Sequence, residues 1–145
     1  MIMISFSRLS VVNKKDCAAI NRLLRELSSS SSGLTYRGFR SIIKDANVSV
    51  YVARFGKEII GMGTIAFVRV PGGLQGRIED VVVDNAYRGQ GIGKTLMEKL
   101  IARARTKKVS FIELTSRPSR EAANALYQKL GFMKRETNVY RLTIP

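Results

Sequence analysis

The segment Arg88-Gly89-Gln90-Gly91-Ile92-Gly93-Lys94-Thr95 decides how the rest of this chain is interpreted. It follows the apolar run Val81–Val83, which is typical of a buried strand, and it opens the stretch 91–108, whose apolar residues recur at helical spacing. The sequence therefore predicts a strand, a glycine turn and a helix in succession. Because the first N–H groups of a helix have no partner inside it, a turn at this place is suited to bind phosphate.

Three phosphate-binding patterns compete for this segment. A P-loop, G-x-x-x-x-G-K-[ST], fits its end but has Arg88 where the first glycine belongs. A dinucleotide fingerprint, G-x-G-x-x-G, fails in both frames, because Lys94 or Leu96 stands at its last position. The remaining pattern, [RQ]-x-x-G-x-[GA], is matched by Arg88, Gly91 and Gly93. The plain alternative is a glycine turn that binds no ligand.

The charge balance of the chain is strongly basic. Its 145 residues include 25 Lys and Arg against 11 Asp and Glu, a formal net charge of +14. The excess is evenly spread, because residues 1–72 and residues 73–145 each carry +7. A basic surface attracts phosphate-bearing molecules in general, although the same charge can serve solubility alone.

Residue types that are rare or missing restrict the chemistry. The chain has no His, which excludes an imidazole base or metal ligand, and its one cysteine, Cys17, excludes an internal disulfide and a CxxC site. We therefore expect no metal. The apolar opening Met1–Phe6 is too short for a signal peptide, and no long apolar span follows. These features predict a reduced, cytoplasmic protein that enters no membrane.

Periodicity and turn residues predict an α/β (α+β) chain with a single domain over residues 1–145. Helices are expected at 14–27, 35–46, 91–108 and 119–130, and strands at 3–9, 48–55, 59–70, 76–83, 109–115, 132–133 and 139–142. Asn13 or Asp16 marks the start of the first helix, Ser119 is the expected N-cap of the last one, and Gly131 follows its end. The serine run 28–32 predicts a flexible connection. The unit 76–115 predicts a parallel crossover.

Two quoted stretches carry a resemblance to a known family. Ile78-Glu79-Asp80-Val81-Val82-Val83, continued by the glycine segment, and Asn124-Ala125-Leu126-Tyr127-Gln128-Lys129-Leu130-Gly131-Phe132 are similar to the central strand, loop and last helix of the GCN5-related N-acetyltransferase (GNAT) superfamily. The resemblance implies a mixed central sheet of six to seven strands flanked by about four helices.

The same resemblance implies acetyl-CoA as cosubstrate. Backbone N–H groups of Gln90 to Lys94 would hold its pyrophosphate, with charge from Arg88, and the strand edge at Val81–Val83 would pair with the pantetheine arm. The expected cofactor-binding residues are Val81, Val82, Val83, Arg88, Gly89, Gln90, Gly91, Ile92, Gly93, Lys94, Thr95, Asn124 and Lys129. A purely structural role stays open for the valines as core residues and for Lys129 as a solvated lysine.

Three residues are the expected catalytic groups. By resemblance, Tyr127 donates a proton to the leaving thiolate; the alternative is a tyrosine that only packs its helix. Glu79 and Asp80 are the candidates for binding the amine and taking its proton, and a bulge would bring both near the site. The alternative is an ion pair with Arg77 or Arg117. Arg117 is also a candidate for binding an acidic group of the acceptor.

The resemblance implies transfer of an acetyl group to a primary amine of a small molecule, by direct attack in a ternary complex. The pair Glu79-Asp80 is similar to the glucosamine-phosphate branch of the superfamily, and a basic chain would suit an anionic acceptor. Two alternatives stay open. One is acetylation of an aminoacyl-tRNA or protein amine, with nucleic acid as the second choice of partner; the other is a non-catalytic acyl-CoA-binding module. Strand edges also allow a homodimer.

Overall fold

A computed structural model describes residues 3–145, so the first two residues of the predicted domain lie outside the described part. The elements are β1 (Ile4–Arg8), α1 (Lys14–Leu27), α2 (Tyr36–Lys44), β2 (Val48–Phe55), β3 (Glu58–Val70), β4 (Gly73–Val83), a 3-10 turn (Asn85–Tyr87), α3 (Ile92–Lys107), β5 (Ile112–Glu113) and α4 (Glu121–Lys129). The order of helices and strands up to α4 is the predicted one. No helix in residues 3–145 is long and apolar enough to cross a bilayer.

One five-stranded sheet runs in the order β1-β2-β3-β4-β5. The first four strands are antiparallel neighbours, whereas β4 and β5 are parallel, as the predicted crossover requires. The parallel pairing is short, because it joins only Gly76 to Ile112 and Arg77 to Glu113. Within the described chain, the outer edge of β4 beyond Arg77 therefore has no strand beside it.

The predicted strand count of six to seven was too high. Residues 132–133 and 139–142 lie in no strand, and β5 is only two residues long. The reason is that an apolar alternation makes a strand only where a neighbouring backbone completes its hydrogen bonds. In the structure Val139, Tyr140 and Leu142 are instead exposed.

The contacts divide the chain into two compact units, one ending at Leu114 and one covering Thr115–Pro145. In the first unit, the sheet has a core on each face. Ile20, Leu23 and Phe39 of α1 and α2 pack with alternate residues of β2 such as Val50 and Val52. On the other face, the core is formed by Ala53, Ile60, Ile92 and Leu96. Helix α3 therefore lies on the face opposite α1 and α2.

Two glycines of β3 let α3 approach the sheet closely. A Cβ atom at Gly63 would lie 2.9 Å from Cδ1 of Leu100, and one at Gly61 would lie 3.3 Å from Cδ1 of Leu96. Interiors are packed too tightly to absorb such contacts without a shift. The missing side chains thus fix the position of α3, whose N-terminus follows the end of β4 after one turn of 3-10 helix.

The connection after α1 is less free than its serine run predicts. Leu34 donates its backbone N–H to Oδ1 of Asn21 over 2.8 Å, and Nδ2 of Asn21 donates to the carbonyl of Leu34 over 2.9 Å. One side chain of α1 therefore binds both backbone groups of the residue at the far end of the connection.

At the start of α1, Asn13 is the N-cap, and its side chain accepts a hydrogen bond from the N–H of Asp16.

Candidate functional site

The glycine turn before α3 has a backbone that requires glycine at two positions. Gly89 and Gly91 both have φ of +79°, and Gly91 is the N-cap of α3. A Cβ at either residue would meet nothing within 4 Å. Glycine is therefore required at these two positions by the left-handed backbone conformation and not by a lack of space for a side chain. The open space above both residues leaves room for a ligand to contact the main chain.

The same turn contains a continuous row of backbone donors. In the part of the chain that the structure describes, the N–H groups from Gly89 to Lys94 donate no hydrogen bond, and Thr95 is the first residue to donate, to the carbonyl of Gly91 over 3.1 Å. Side-chain capping is also missing at Gly91. Unpaired N–H groups at a helix N-terminus carry partial positive charge, so this row can bind an anion such as a pyrophosphate.

Arg88 and Lys94, the two cations of the turn, have exposed side chains that form weak contacts. Nε of Arg88 donates to the carbonyl of Val83 over 3.1 Å, and its guanidinium lies 3.9 Å from the carboxylate of Glu26. Lys94 lies 4.0 Å from Glu98 one helical turn later. Exposed ion pairs at these distances contribute little to stability, so both side chains can leave them and bind an anion at a small cost in free energy.

The end of β4 presents main-chain groups next to this turn. The N–H of Asp84 donates to the carbonyl of Ile60 in β3 over 2.8 Å. Because successive residues of a strand point their backbone groups to opposite sides, those of Val83 and Val81 point to the open edge. Val82 is buried in the core on the α1 side. An extended ligand can therefore pair with β4 along its open edge, as an additional strand would.

The strand is bulged at Asp80. Its register with β3 shifts between Met62 and Thr64, and Asp80 has φ of +54°, which is uncommon for a residue with a side chain. Although the carboxylate keeps contact with solvent, the protein around it removes part of its hydration. This desolvation raises the pKa of Asp80 first, and the negative charge of Glu79 raises it further. A carboxylate with a raised pKa is a stronger proton acceptor once it is ionised.

Glu79 has a different environment. Its carboxylate accepts from Nε of Arg77, and both side chains are about half exposed. This is one of the two ion pairs that the sequence left open. The structure therefore separates the two neighbouring acids: Glu79 is paired with a cation, whereas Asp80 has no ion pair among the described residues.

In the second unit, the end of α4 fixes Tyr127. The N–H of Phe132 donates to the carbonyl of Tyr127, and that of Gly131 donates to Gln128. Gly131 has φ of +99°, so these bonds form a Schellman motif, as its predicted place after the helix requires. The motif brings the ring of Phe132 edge-on to Tyr127, with centroids 6.1 Å apart. Tyr127 is buried, and this contact is one of those that hold its ring.

The other predicted site residues of this unit are Asn124, Arg117 and Lys129. Asn124 donates its side-chain amide to the carbonyl of Arg117 over 3.0 Å, which ties the start of α4 to the preceding turn. The side chain of Arg117 and that of Lys129 are exposed.

The predicted N-cap at Ser119 was wrong. Ser119 lies in a turn that is closed by the N–H of Arg120, which donates to the carbonyl of Arg117. Helix α4 begins after Arg120, which forms no side-chain cap.

One residue beside the candidate site, Asp84, was not predicted from the sequence. Asp84 directly follows β4, and its side chain accepts from the N–H of Ala86 over 2.9 Å, which starts the 3-10 turn. It also lies 3.5 Å from Arg22 of α1. The signal was present, since an Asp before a short polar stretch after an apolar strand is typical of a cap.

The comparisons with known proteins indicate the family of the chain. The model of the Acetyltransferase (GNAT) family matches residues 17–132. An L-2,4-diaminobutyric acid acetyltransferase from Marinococcus halophilus is 36% identical over 88 residues, which are 61% of this chain and 50% of that protein. A glucosamine 6-phosphate N-acetyltransferase from Trypanosoma brucei brucei is 44% identical over 61 residues, 42% of this chain and 40% of that protein.

The fold is likewise shared with solved structures. A crystal structure of an acetyltransferase from Trypanosoma brucei superposes with a TM-score of 0.79 at 27% identity, over 98% of this chain and 100% of that chain. The chain belongs to the acetyltransferase (GNAT) family. It spans half or less of the length of the curated relatives that it matches first.

The raised pKa of Asp80 gives a stability prediction. Because its folded-state pKa lies above the unfolded value, ionisation lowers stability as the pH rises through that range, and the loss is complete above the folded pKa. Asp80→Asn removes the charge and suits a positive φ. We expect it to raise the free energy of unfolding at neutral pH, with a gain that disappears below about pH 4.

The measurement is urea unfolding across this pH range. Glu113→Gln is the matched control, because it makes the same change in net charge at an exposed acid that forms no ion pair among residues 3–145. A gain for Asp80→Asn that does not vary with pH would contradict the assignment.

Proposed function

We propose that this chain is an acetyl-CoA-dependent N-acetyltransferase that acts on a primary amine of a small molecule. The observation that carries the proposal is a row of six N–H groups, from Gly89 to Lys94, that donate no hydrogen bond within residues 3–145 and that follow the end of β4 in the chain. An extended, phosphate-bearing cosubstrate needs a site for its pyrophosphate and a strand edge for its arm, and we assign these to the N–H row and to β4.

The residues present fit acetyl-CoA. The N–H row and the exposed cations Arg88 and Lys94 suit its phosphates, and the backbone of Val81 and Val83 suits the amide groups of its pantetheine arm. When bound, the thioester supplies the activated acetyl group. An N–H group of the open β4 edge supports the proposal further, since a fixed donor near a carbonyl oxygen stabilises negative charge that develops on it.

Asp80 is the proposed proton acceptor. In the transfer, the amine nitrogen bonds to the acetyl carbon, the carbon–sulfur bond breaks, and one proton must leave the nitrogen. Asp80 can take that proton directly or through a water molecule, because its desolvated carboxylate has a raised pKa. Glu79, held by Arg77, adds negative charge beside it, and that charge attracts an ammonium group.

Tyr127 is the proposed proton donor. Its phenol O–H is a hydrogen-bond donor, and its ring packs edge-on against Phe132. Its proton would go to the sulfur that leaves the acetyl carbon, so that a neutral thiol and an amide result. In this scheme Asn124 and Lys129 bind the cosubstrate, and Arg117 binds an acidic group of the acceptor.

The relatives support a small polar acceptor. Their names give L-2,4-diaminobutyric acid and glucosamine 6-phosphate as acceptors, and both molecules carry a primary amine and an anionic group. An acceptor of this class matches the acid pair at Glu79 and Asp80 for its ammonium and the basic charge of the chain for its anion. We therefore propose an amine that also carries a carboxylate or phosphate.

Gly91→Ala tests the N–H row. We expect a loss of about 1–2 kcal/mol in stability from the positive φ, together with about a tenfold loss of affinity for coenzyme A as the row is displaced. Gly56→Ala is the matched control, because Gly56 in the β2–β3 turn also has positive φ and open space around its Cα. Calorimetric titration with coenzyme A should show normal affinity in the control. Equal affinity in both variants would argue against the site.

Tyr127→Phe tests the proton donor. The substitution keeps the ring packed on Phe132 but removes the hydroxyl, so we expect kcat to fall about 100-fold with little change in KM for acetyl-CoA. Tyr140→Phe, at an exposed tyrosine of the same unit, is the control.

The assay is coenzyme A release over a panel of amines that includes diaminobutyrate, glucosamine 6-phosphate, polyamines and aminoacyl-tRNA. An unchanged kcat in Tyr127→Phe removes the tyrosine from the chemistry. Binding of coenzyme A without turnover of any amine by the unaltered protein would instead indicate a non-catalytic binding module.

A further inference from the structure

A second cationic surface lies on the α3 face of the sheet, away from the glycine turn. We define it as the cationic strip: Arg8, Arg69, Lys99, Arg103 and Lys107. We propose that the cationic strip binds single-stranded nucleic acid, with Tyr51 as the platform for a base. The proposal does not depend on acetyl transfer.

The sheet register places the strip on one face. Arg8 of β1 pairs with Tyr51 of β2, and cross-strand partners share a face. Tyr51 and Phe6 pack at the rim of the core on the α3 side, so Arg8, two residues after Phe6, also faces α3. Ser49, two residues before Tyr51, lies on the same face, because its hydroxyl accepts from Nε of Arg103 over 3.2 Å.

Helix α3 continues the strip. Lys99, Arg103 and Lys107 follow one another at intervals of four residues, which places them on one flank of the helix, and Arg103 shows that this flank faces β2. The ammonium of Lys107 lies 5.7 Å from the ring centroid of Phe67 in β3, and Arg69 is two residues further along that strand. From Arg8 to Arg69 the strip extends roughly 20 Å, as estimated from strand rise and spacing.

The strip has positive charge without local compensation. Across residues 3–145, none of its five members forms an ion pair, whereas Arg22, Arg54, Arg77 and Arg88 elsewhere in the chain all do. A row of unpaired cations spaced along one surface is the electrostatic complement of a phosphate backbone.

The aromatic side chains select the type of partner. Tyr51 and Phe6 are diagonal neighbours on β2 and β1, both are half-buried, and Tyr51 lies directly beside Arg8. A ring that is anchored at its base and accessible at its edge or face can stack on an unpaired base, whereas the bases of a duplex are not available to it. The combination of cations and a partly exposed tyrosine therefore favours a single strand over a duplex or an anionic lipid surface.

The test is fluorescence anisotropy with a labelled mixed-sequence RNA of about twelve nucleotides, a length within the usual range of single-strand sites. The strip variant is Arg8→Gln/Arg69→Gln/Lys99→Gln, because these three side chains are exposed and form no hydrogen bond among the described residues. The control variant is Lys14→Gln/Arg37→Gln/Lys44→Gln, which removes the same charge from exposed positions on α1 and α2. Circular dichroism verifies that both variants fold.

We expect the strip variant to lose at least about tenfold in RNA affinity, and the slope of log K against log salt to become shallower by about 2, since each phosphate contact contributes about 0.7. The control variant should lose much less RNA affinity than the strip variant. Tyr51→Leu, which keeps an apolar side chain at the same place, should cost at least about fivefold for the single strand and little for a matched duplex.

Three results would overturn the proposal. The first is an equal loss in the strip and control variants, which would mean that only overall charge matters. The second is binding of the duplex as tightly as the single strand, with no effect of Tyr51→Leu. The third is binding to vesicles of phosphatidylcholine and phosphatidylserine by a protein that does not bind the RNA.

Discussion

The packing of α3 against β3 is the contact on which the site depends. Gly61 and Gly63 have no side chains, and α3 fills that space with Leu96 and Leu100. This close approach, together with the one-turn connection after β4, puts the N-terminus of a sixteen-residue helix beside the end of a strand whose outer edge is open. In the function proposed for this chain, the N–H groups at the start of the helix bind the phosphates of the cosubstrate and the backbone groups of the strand bind its extended arm.

The bulge at Asp80 in β4 has features that lower the stability of the fold. Asp80 adopts a positive φ, sits at a register shift and has a carboxylate whose pKa is raised by desolvation and by Glu79. Each of these costs free energy in the folded state, and strain of this kind is concentrated at functional sites. In the second unit, the Schellman motif at Gly131 stabilises the helix end and places Phe132 against the ring of Tyr127.

Local signals in the sequence predicted most of the fold. The bounds of α1 and β2 match the expected 14–27 and 48–55, because apolar periodicity and the cap at Asn13 lie within the elements themselves. The strand expected at 139–142 was wrong because a strand depends on a partner that periodicity does not reveal. Likewise, the sequence named Glu79 and Asp80 as a pair, but only the bulge and the bond from Arg77 distinguish them. The cationic strip was invisible in the sequence because its members come from β1, β3 and α3.

The phosphate site that we propose consists of the backbone N–H groups from Gly89 to Lys94. Hydrogen exchange of these amides, resolved by NMR with and without coenzyme A, tests this assignment. Without the ligand they should exchange rapidly, because they donate no hydrogen bond within the described chain. With coenzyme A bound, exchange at several of them should slow at least about tenfold, since each acquires an acceptor. If saturating coenzyme A leaves the exchange of these amides unchanged, they do not bind its phosphates.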